Sequence, residues 1–260
     1  IEALGKDQNA SGFVLGIVGN LSKAVFQCPG LSEHTVLEGN LEIIRSLSCY
    51  CDVEVWLLTP QMQDGGVGGP KPQQLQIEDV PLWEGDFNFS NQQNLISTDG
   101  ESGNVVLRRM ALPEKEHISS WLRNSDLDAV YCTGSRRNVS IWEEWMDSAA
   151  ELLKQSVSLE IPTLGICFGH QLLCYALGGE VERADSKSEF VCALEKTGFG
   201  SYDPLFEGID VLRGLFTHQD HVVKVPEECI VLATSEHSVN AAVRVCKGDK
   251  MLEAYGVQFH

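Results

Sequence analysis

The sequence predicts an α/β fold: an open, mostly parallel sheet flanked by helices, with β-hairpins in the C-terminal half. Three observations predict it. Phe13–Val18, Thr35–Leu47 and Asp52–Leu58 read as strand, helix and strand, the opening of a parallel sheet. Ile161–Gly179 joins a short apolar run after a proline to a helix-forming segment that stops on glycine. Beyond that helix the texture changes to short β-like runs.

Residues 1–12 are a polar lead-in to the buried strand Phe13–Val18, and an irregular stretch through Pro29-Gly30 follows. In Thr35–Leu47, Thr35 and Glu38 are spaced for a capping box, while Val36, Leu37, Leu41, Ile44 and Leu47 line one face. Asp52–Leu58 is the second strand. From Thr59 to about Asn104 the periodicity fails, which marks an irregular insertion: a lid, a partner-facing segment or a disordered one. Pro113–Arg123 is predicted helical, with proline in its first turn and Ile118, Trp121 and Leu122 facing inward.

Asp128–Cys132 is a strand ending at Thr133-Gly134-Ser135. Val139–Gln155 has the clearest amphipathic pattern in the chain, through Ile141, Trp142, Trp145, Met146, Ala149, Leu152 and Leu153, and core packing is expected of both tryptophans. The later runs are Phe190–Leu194, Val211–Thr217, Cys229–Thr234, Ala241–Cys246 and Leu252–Phe259. Together the elements predict a single domain over residues 1–260, interrupted at about 59–104. Neither end reads as a natural terminus.

A formal charge of −18 argues against nucleic acid and anionic membrane surfaces, because phosphate binding needs clustered Lys and Arg. No apolar run is long enough for a membrane-spanning helix. Nine scattered cysteines suit reduced thiols in the cytoplasm better than a secreted disulfide framework. Cys49-x-Cys51 is too short for the usual zinc pair, and His218-x-x-His221 with Asp220 falls short of a ligand set, so no metal is expected. Neither a dinucleotide-binding nor a nucleotide-triphosphate glycine signature is present, and no cofactor is expected.

The chemistry centres on Cys167. Gly165 and Gly169 flank it at minus two and plus two, the spacing of a nucleophile elbow, where a strained strand-to-helix turn lifts one side chain off the sheet. Unpaired N–H groups and the helix dipole are expected to favour its thiolate. The bland alternative is a small core hydrophobe, the fate of most free cysteines.

Gly165-Ile166-Cys167-Phe168-Gly169-His170-Gln171 resembles the nucleophile motif of class I glutamine amidotransferases, the triad family. Tyr131-Cys132-Thr133-Gly134-Ser135 resembles its oxyanion loop. Thr217-His218-Gln219-Asp220-His221-Val222 resembles its Ser-His-Gly-Asp-x-Val segment, and Gly256-Val257-Gln258-Phe259-His260 its Gly-x-Gln-Phe-His-Pro-Glu ending. The matches keep the family's order over roughly residues 128–260, about half the chain, and look closest to domains similar to the amidotransferase half of GMP synthase, a subgroup that includes gamma-glutamyl peptidases.

The resemblance implies a flavodoxin-like sheet and cysteine-dependent hydrolysis of the γ-amide of glutamine through a γ-glutamyl thioester. Cys167 would be the nucleophile and His260 the base, with the orienting Glu of the Cys-His-Glu triad expected just beyond residue 260. The Phe168 N–H and the Gly134-Ser135 loop would bind the oxyanion, although the family commonly has glycine where Ser135 stands. Gln171 would help hold the substrate, helix packing being its equally open alternative. Glu189 and His218 are further candidates, and His170 is assigned to hydrogen bonding of the turn. Ammonia would pass to a synthetase, either another domain or a separate protein subunit. Two other readings stay open: a gamma-glutamyl peptidase or hydrolase, and a catalytically silent binding or regulatory module.

Overall fold

A computed structural model describes residues 23–27, 53–59, 105–135 and 137–260. The predicted strand Phe13–Val18, the helix Thr35–Leu47 and the insertion at about 59–104 lie outside the described residues, apart from Thr59 itself.

Among the described residues the main sheet has nine strands, in the order β3-β2-β1-β4-β5-β11-β10-β9-β7. Its parallel part comprises β1 (Lys23–Gln27), β2 (Val53–Thr59), β3 (Val105–Ala111), β4 (Ala129–Cys132), β5 (Thr163–Ile166) and β11 (Lys250–Val257). Its antiparallel part adds β10 (Ser238–Lys247), β9 (Cys229–Ser235) and β7 (Glu195–Lys196). From β2 inward the order β2-β1-β4-β5 is flavodoxin-like, and β3 is an extra strand outside it. Sequence pattern does not reveal β1 or β3. β1 lies in the stretch that reads as irregular, and Arg108-Arg109 interrupts the apolar pattern of β3.

Three helices follow from apolar periodicity: α1 (Ile118–Ser125), α2 (Trp145–Ser158) and α3 (Phe168–Ala176). Ile118 and Leu122 of α1, with Met146, Ala149, Leu152 and Leu153 of α2, are buried in one core shared with Val130, Phe168 and Leu172. Truncating a wholly buried leucine such as Leu152 to alanine removes about 2–5 kcal/mol of stability.

α2 starts at Trp145 rather than at Val139. The Ser140 N–H and hydroxyl both donate to the Asp220 carboxylate (2.7 and 2.8 Å), and the Ile141 N–H donates to the Asn138 carbonyl. The turn held in this way keeps Ile141 and Trp142 out of the helix. Trp142, expected in the core, is 37% exposed and packs at a tilt against Tyr175 with ring centroids 4.7 Å apart. Trp145 is buried against Phe168, as expected.

A second core fills the other face of the sheet, where Tyr255 and Val257 of β11 meet Phe216, Leu232 and Ala242. Over this face lies a separate two-stranded ribbon of β6 (Glu180–Ala193) and β8 (Arg213–Lys224). β8 alternates strictly, with Gly214, Phe216, His218, Asp220 and Val222 turned inward.

Candidate active site

β4 and β5 are adjacent and parallel, so the loops leaving their carboxyl ends emerge side by side. One carries Gly134 and Ser135; the other is the turn at Cys167. Cys167 has φ 53° and ψ −104°, a left-handed conformation strained for a residue with a side chain, at the junction of β5 and α3. Its N–H donates to the Val257 carbonyl (2.7 Å), and its carbonyl accepts from the Gln171 N–H (3.1 Å), which fixes the bend from both sides. A Cβ on Gly169 would overlap the Cys132 carbonyl, and one on Gly165 would overlap the Gly169 carbonyl. The two glycines let strand, turn and helix pack this closely.

The electrostatics differ from the sequence expectation. Cys167 is buried, and desolvation pushes its thiol up to about 11, overriding the opposing pull of the Phe168 N–H. The sulfur rests as a thiol, so a base must take its proton as it attacks.

His260 is brought to this turn from the end of the chain. Its N–H donates to the Leu215 carbonyl (2.8 Å) and its carbonyl accepts from the Leu215 N–H (3.4 Å), a reciprocal bridge that seats it on β8. A Cβ built on Gly134 would stand 2.8 Å from His260 Cε1, 3.6 Å from its Nε2 and 3.8 Å from Cys167 Cβ. The loop glycine thus lies against both the imidazole and the cysteine. His260 is solvent-exposed, yet partial burial of its ring lowers its pKa and favours the neutral, proton-accepting form.

Phe168 is buried, with its N–H turned to the sulfur. The Ser135 hydroxyl accepts from the Arg137 N–H (3.0 Å), which shapes the loop after Gly134. Gln171 is buried and its amide donates to the Asp220 carbonyl (2.6 Å) and to Gln258 Oε1 (3.1 Å). The structure therefore places its NH2 group in packing contacts. Glu189 is exposed and ion-paired with Lys187 on the ribbon. His218 is buried on β8 beside Phe216, and His170 is wholly buried. Among the described residues no group of His, Cys, Asp and Glu has a metal-site arrangement.

Gln258 and Asp220 stand within the motifs, but sequence reasoning gives neither a role at the site. Gln258 accepts from Gln171 through its Oε1; Asp220 ties the loop after Gly134 to β8 and, through its carbonyl, to α3. Ser140 and Asp220 are 80 residues apart, a separation no local pattern reveals.

Residues 85–260 match the family described as "Glutamine amidotransferase class-I". GMP synthase [glutamine-hydrolyzing] from Clostridium novyi is 30% identical over 140 residues, 54% of this chain and 25% of that protein. In Methanopyrus kandleri, one of the subunits named for the same enzyme is 37% identical over 102 residues, 39% of this chain and 51% of that one. The chain therefore spans between a quarter and about half of these relatives. A crystal structure of a glutamine amidotransferase from Thermotoga maritima shares the fold, with a TM-score of 0.54 at 19% identity over 93% of this chain and 76% of that one. No helix among the described residues is long and apolar enough to cross a membrane. A family match over more than half of its length, on the strand, elbow and sheet order described above, makes this chain a member of the class I glutamine amidotransferase family.

Proposed function

We propose that this domain hydrolyses the γ-amide of glutamine through a γ-glutamyl thioester on Cys167, with His260 as the proton carrier, and supplies the ammonia to a synthetase partner, whether a linked domain or a separate protein. The observation that carries the reading is the meeting of His260, Cys167 and Gly134 outside the carboxyl ends of β4 and β5.

As Cys167 Sγ bonds to the carboxamide carbon, its proton passes to neutral His260. The carbonyl oxygen becomes an oxyanion facing the Phe168 N–H and the Gly134-Ser135 loop. Collapse breaks the C–N bond, and His260 returns the proton to the departing nitrogen, which leaves as ammonia. Water then attacks the thioester, giving up a proton to His260, and glutamate departs as Sγ is reprotonated. The names of the relatives support glutamine as the substrate and a synthetase as the ammonia acceptor. Neither a peptidase nor a silent module is favoured by those comparisons.

A glutamine-mimicking diazo-ketone tests the reading on the full-length protein. Cys167 is expected to be the one cysteine labelled of nine, with no label in Cys167→Ala and glutaminase activity down by roughly 10⁴-fold or more. An unlabelled Cys167 in folded protein would overturn it, and faster turnover of γ-glutamyl dipeptides than of glutamine would shift it to a peptidase.

A further inference from the structure

The geometry points to Ser140 and Asp220 as a positioning pair: a two-point clasp that holds the Gly134-Ser135 loop where it can donate to the oxyanion beside Cys167. The proposal rests on the roles given above to Cys167, His260 and that loop.

The site draws on two sheets. Gly134 follows β4 and Cys167 follows β5, both in the main sheet, whereas His260 is seated by Leu215 of β8, in the separate ribbon. Asp220, also on β8, reaches across to the main sheet's loops. Its carboxylate accepts the Ser140 N–H at Oδ2 (2.7 Å) and the Ser140 hydroxyl at Oδ1 (2.8 Å), while its carbonyl accepts the Gln171 amide (2.6 Å). The Gln171 N–H in turn donates to the Cys167 carbonyl (3.1 Å). One β8 residue therefore bonds the far end of the loop and, through Gln171, the first turn of the helix that Cys167 opens.

The hold at Ser140 is close enough to govern Gly134. Ser140 stands six positions after Gly134, and the segment between them is bonded internally. Ser135 Oγ accepts the Arg137 N–H (3.0 Å), and the Ile141 N–H donates to the Asn138 carbonyl (3.1 Å). Val139 is buried in the same core as Trp145. The Arg137 guanidinium lies 3.4 Å from the Glu143 carboxylate, which also accepts the Trp145 indole N–H (3.1 Å). Such a segment has little slack, so a shift at Ser140 is passed on to Gly134. Tolerance there is small: a Cβ on Gly134 would stand 2.8 Å from His260 Cε1.

Anchoring alone would not need a carboxylate. Asp220 is 1% exposed, and burying its charge carries a desolvation cost that an apolar side chain of similar size avoids. Arg183 of β6 stands 3.7 Å from Oδ1 but is itself half-exposed, so it offsets that cost only in part. What the carboxylate supplies is geometry: two acceptor oxygens take two donors of one residue, fixing its orientation as well as its position.

The kinetics of glutamine hydrolysis by the full-length protein test the clasp. Losing an oxyanion donor outright costs about 10²–10³-fold in kcat, and a donor displaced but present costs less. Ser140→Ala, at an exposed position, is expected to lower kcat about tenfold with KM within about twofold and the thermal midpoint near the parent's. Ser140→Thr keeps both donors and is expected to recover kcat to within about threefold of the parent. Asp220→Asn is expected to lose at least as much kcat as Ser140→Ala. Adding Ser140→Ala to it should change kcat by less than about twofold, as for two halves of one contact. A parent-like kcat in folded Ser140→Ala would overturn the proposal. So would a change confined to KM, or single losses that multiply in the double variant. Cys167→Ala, measured alongside, keeps the two readings apart: activity retained there would sink the thioester whatever the Ser140 variants do.

Discussion

Two buried polar clusters in this domain are built on opposite terms. Around Arg244, the guanidinium donates to Asp203 (3.0 Å), the Leu252 carbonyl (2.8 Å) and Glu253 (3.4 Å), and lies over the Tyr255 ring. Charge and hydrogen bonding there are closed off. Around Cys167, His170 Nε2 and His218 Nδ1 are buried with no hydrogen-bond partner among the described residues, the thiol is held protonated by desolvation, and the turn itself is strained. The first cluster resembles a fastener and the second a poised site. At Cys167 unmet polar capacity and backbone strain coincide with the place where chemistry is proposed.

Breaking the satisfied cluster should produce the largest change in stability. Arg244→Ala leaves Asp203 buried and unpaired and is expected to lower unfolding free energy by about 3–5 kcal/mol, measured by chemical denaturation. Activity per folded molecule should stay close to the parent's. A stable Arg244→Ala with damaged activity would erase the distinction between the clusters.

Acid should act on the other cluster. His170 is held down to about 4 by burial, against 6.5 in the unfolded chain, and His218 likewise. Between those values the unfolded state binds protons that the folded state refuses, so stability is full above about pH 6.5 and is lost as pH falls toward 4. The expected loss from pH 7 to pH 5 is about 2 kcal/mol for each histidine, less where the two are coupled. Urea titrations at the two pH values measure it, and His170→Phe should flatten the difference if the fold tolerates the swap. An unchanged stability would mean that these rings are not buried neutral.

The exposed ion pairs set the lower end of the scale. Glu160 is shared by Lys247 and Lys250 at the surface. Lys250→Ala is expected to leave stability close to the parent's, with any difference shrinking further in high salt, by thermal or chemical denaturation. A loss comparable to that of Arg244→Ala would show that burial is not what separates strong pairs from weak ones here.

Much of the scaffold was legible because it is local. The Gly165-x-Cys167-x-Gly169 spacing identified the bend, and the structure shows carbonyls at Gly169 and Cys132 where side chains would otherwise stand. The apolar runs at β2, β4 and β5 and the inward positions of α1 were readable from pattern. The start of α2 was not: Ile141 and Trp142 fit the helical period, yet a carboxylate from β8 holds the preceding turn in another shape. The strand β3 escaped notice because its two arginines break the apolar run that marks a buried strand.

The sequence by itself determined the chemistry-bearing residue types, the sharp turn around Cys167 and the alternation that makes strands, since these depend on steric limits and neighbours a few positions apart. Only the tertiary structure decided that burial raises the thiol's pKa, that Trp142 faces solvent, and that Gln258 and Asp220 join the hydrogen bonds around Gln171. Those outcomes depend on desolvation and on contacts between segments far apart in the chain, such as Gln171 with Gln258, 87 residues on, where distance along the chain carries no information about distance in space.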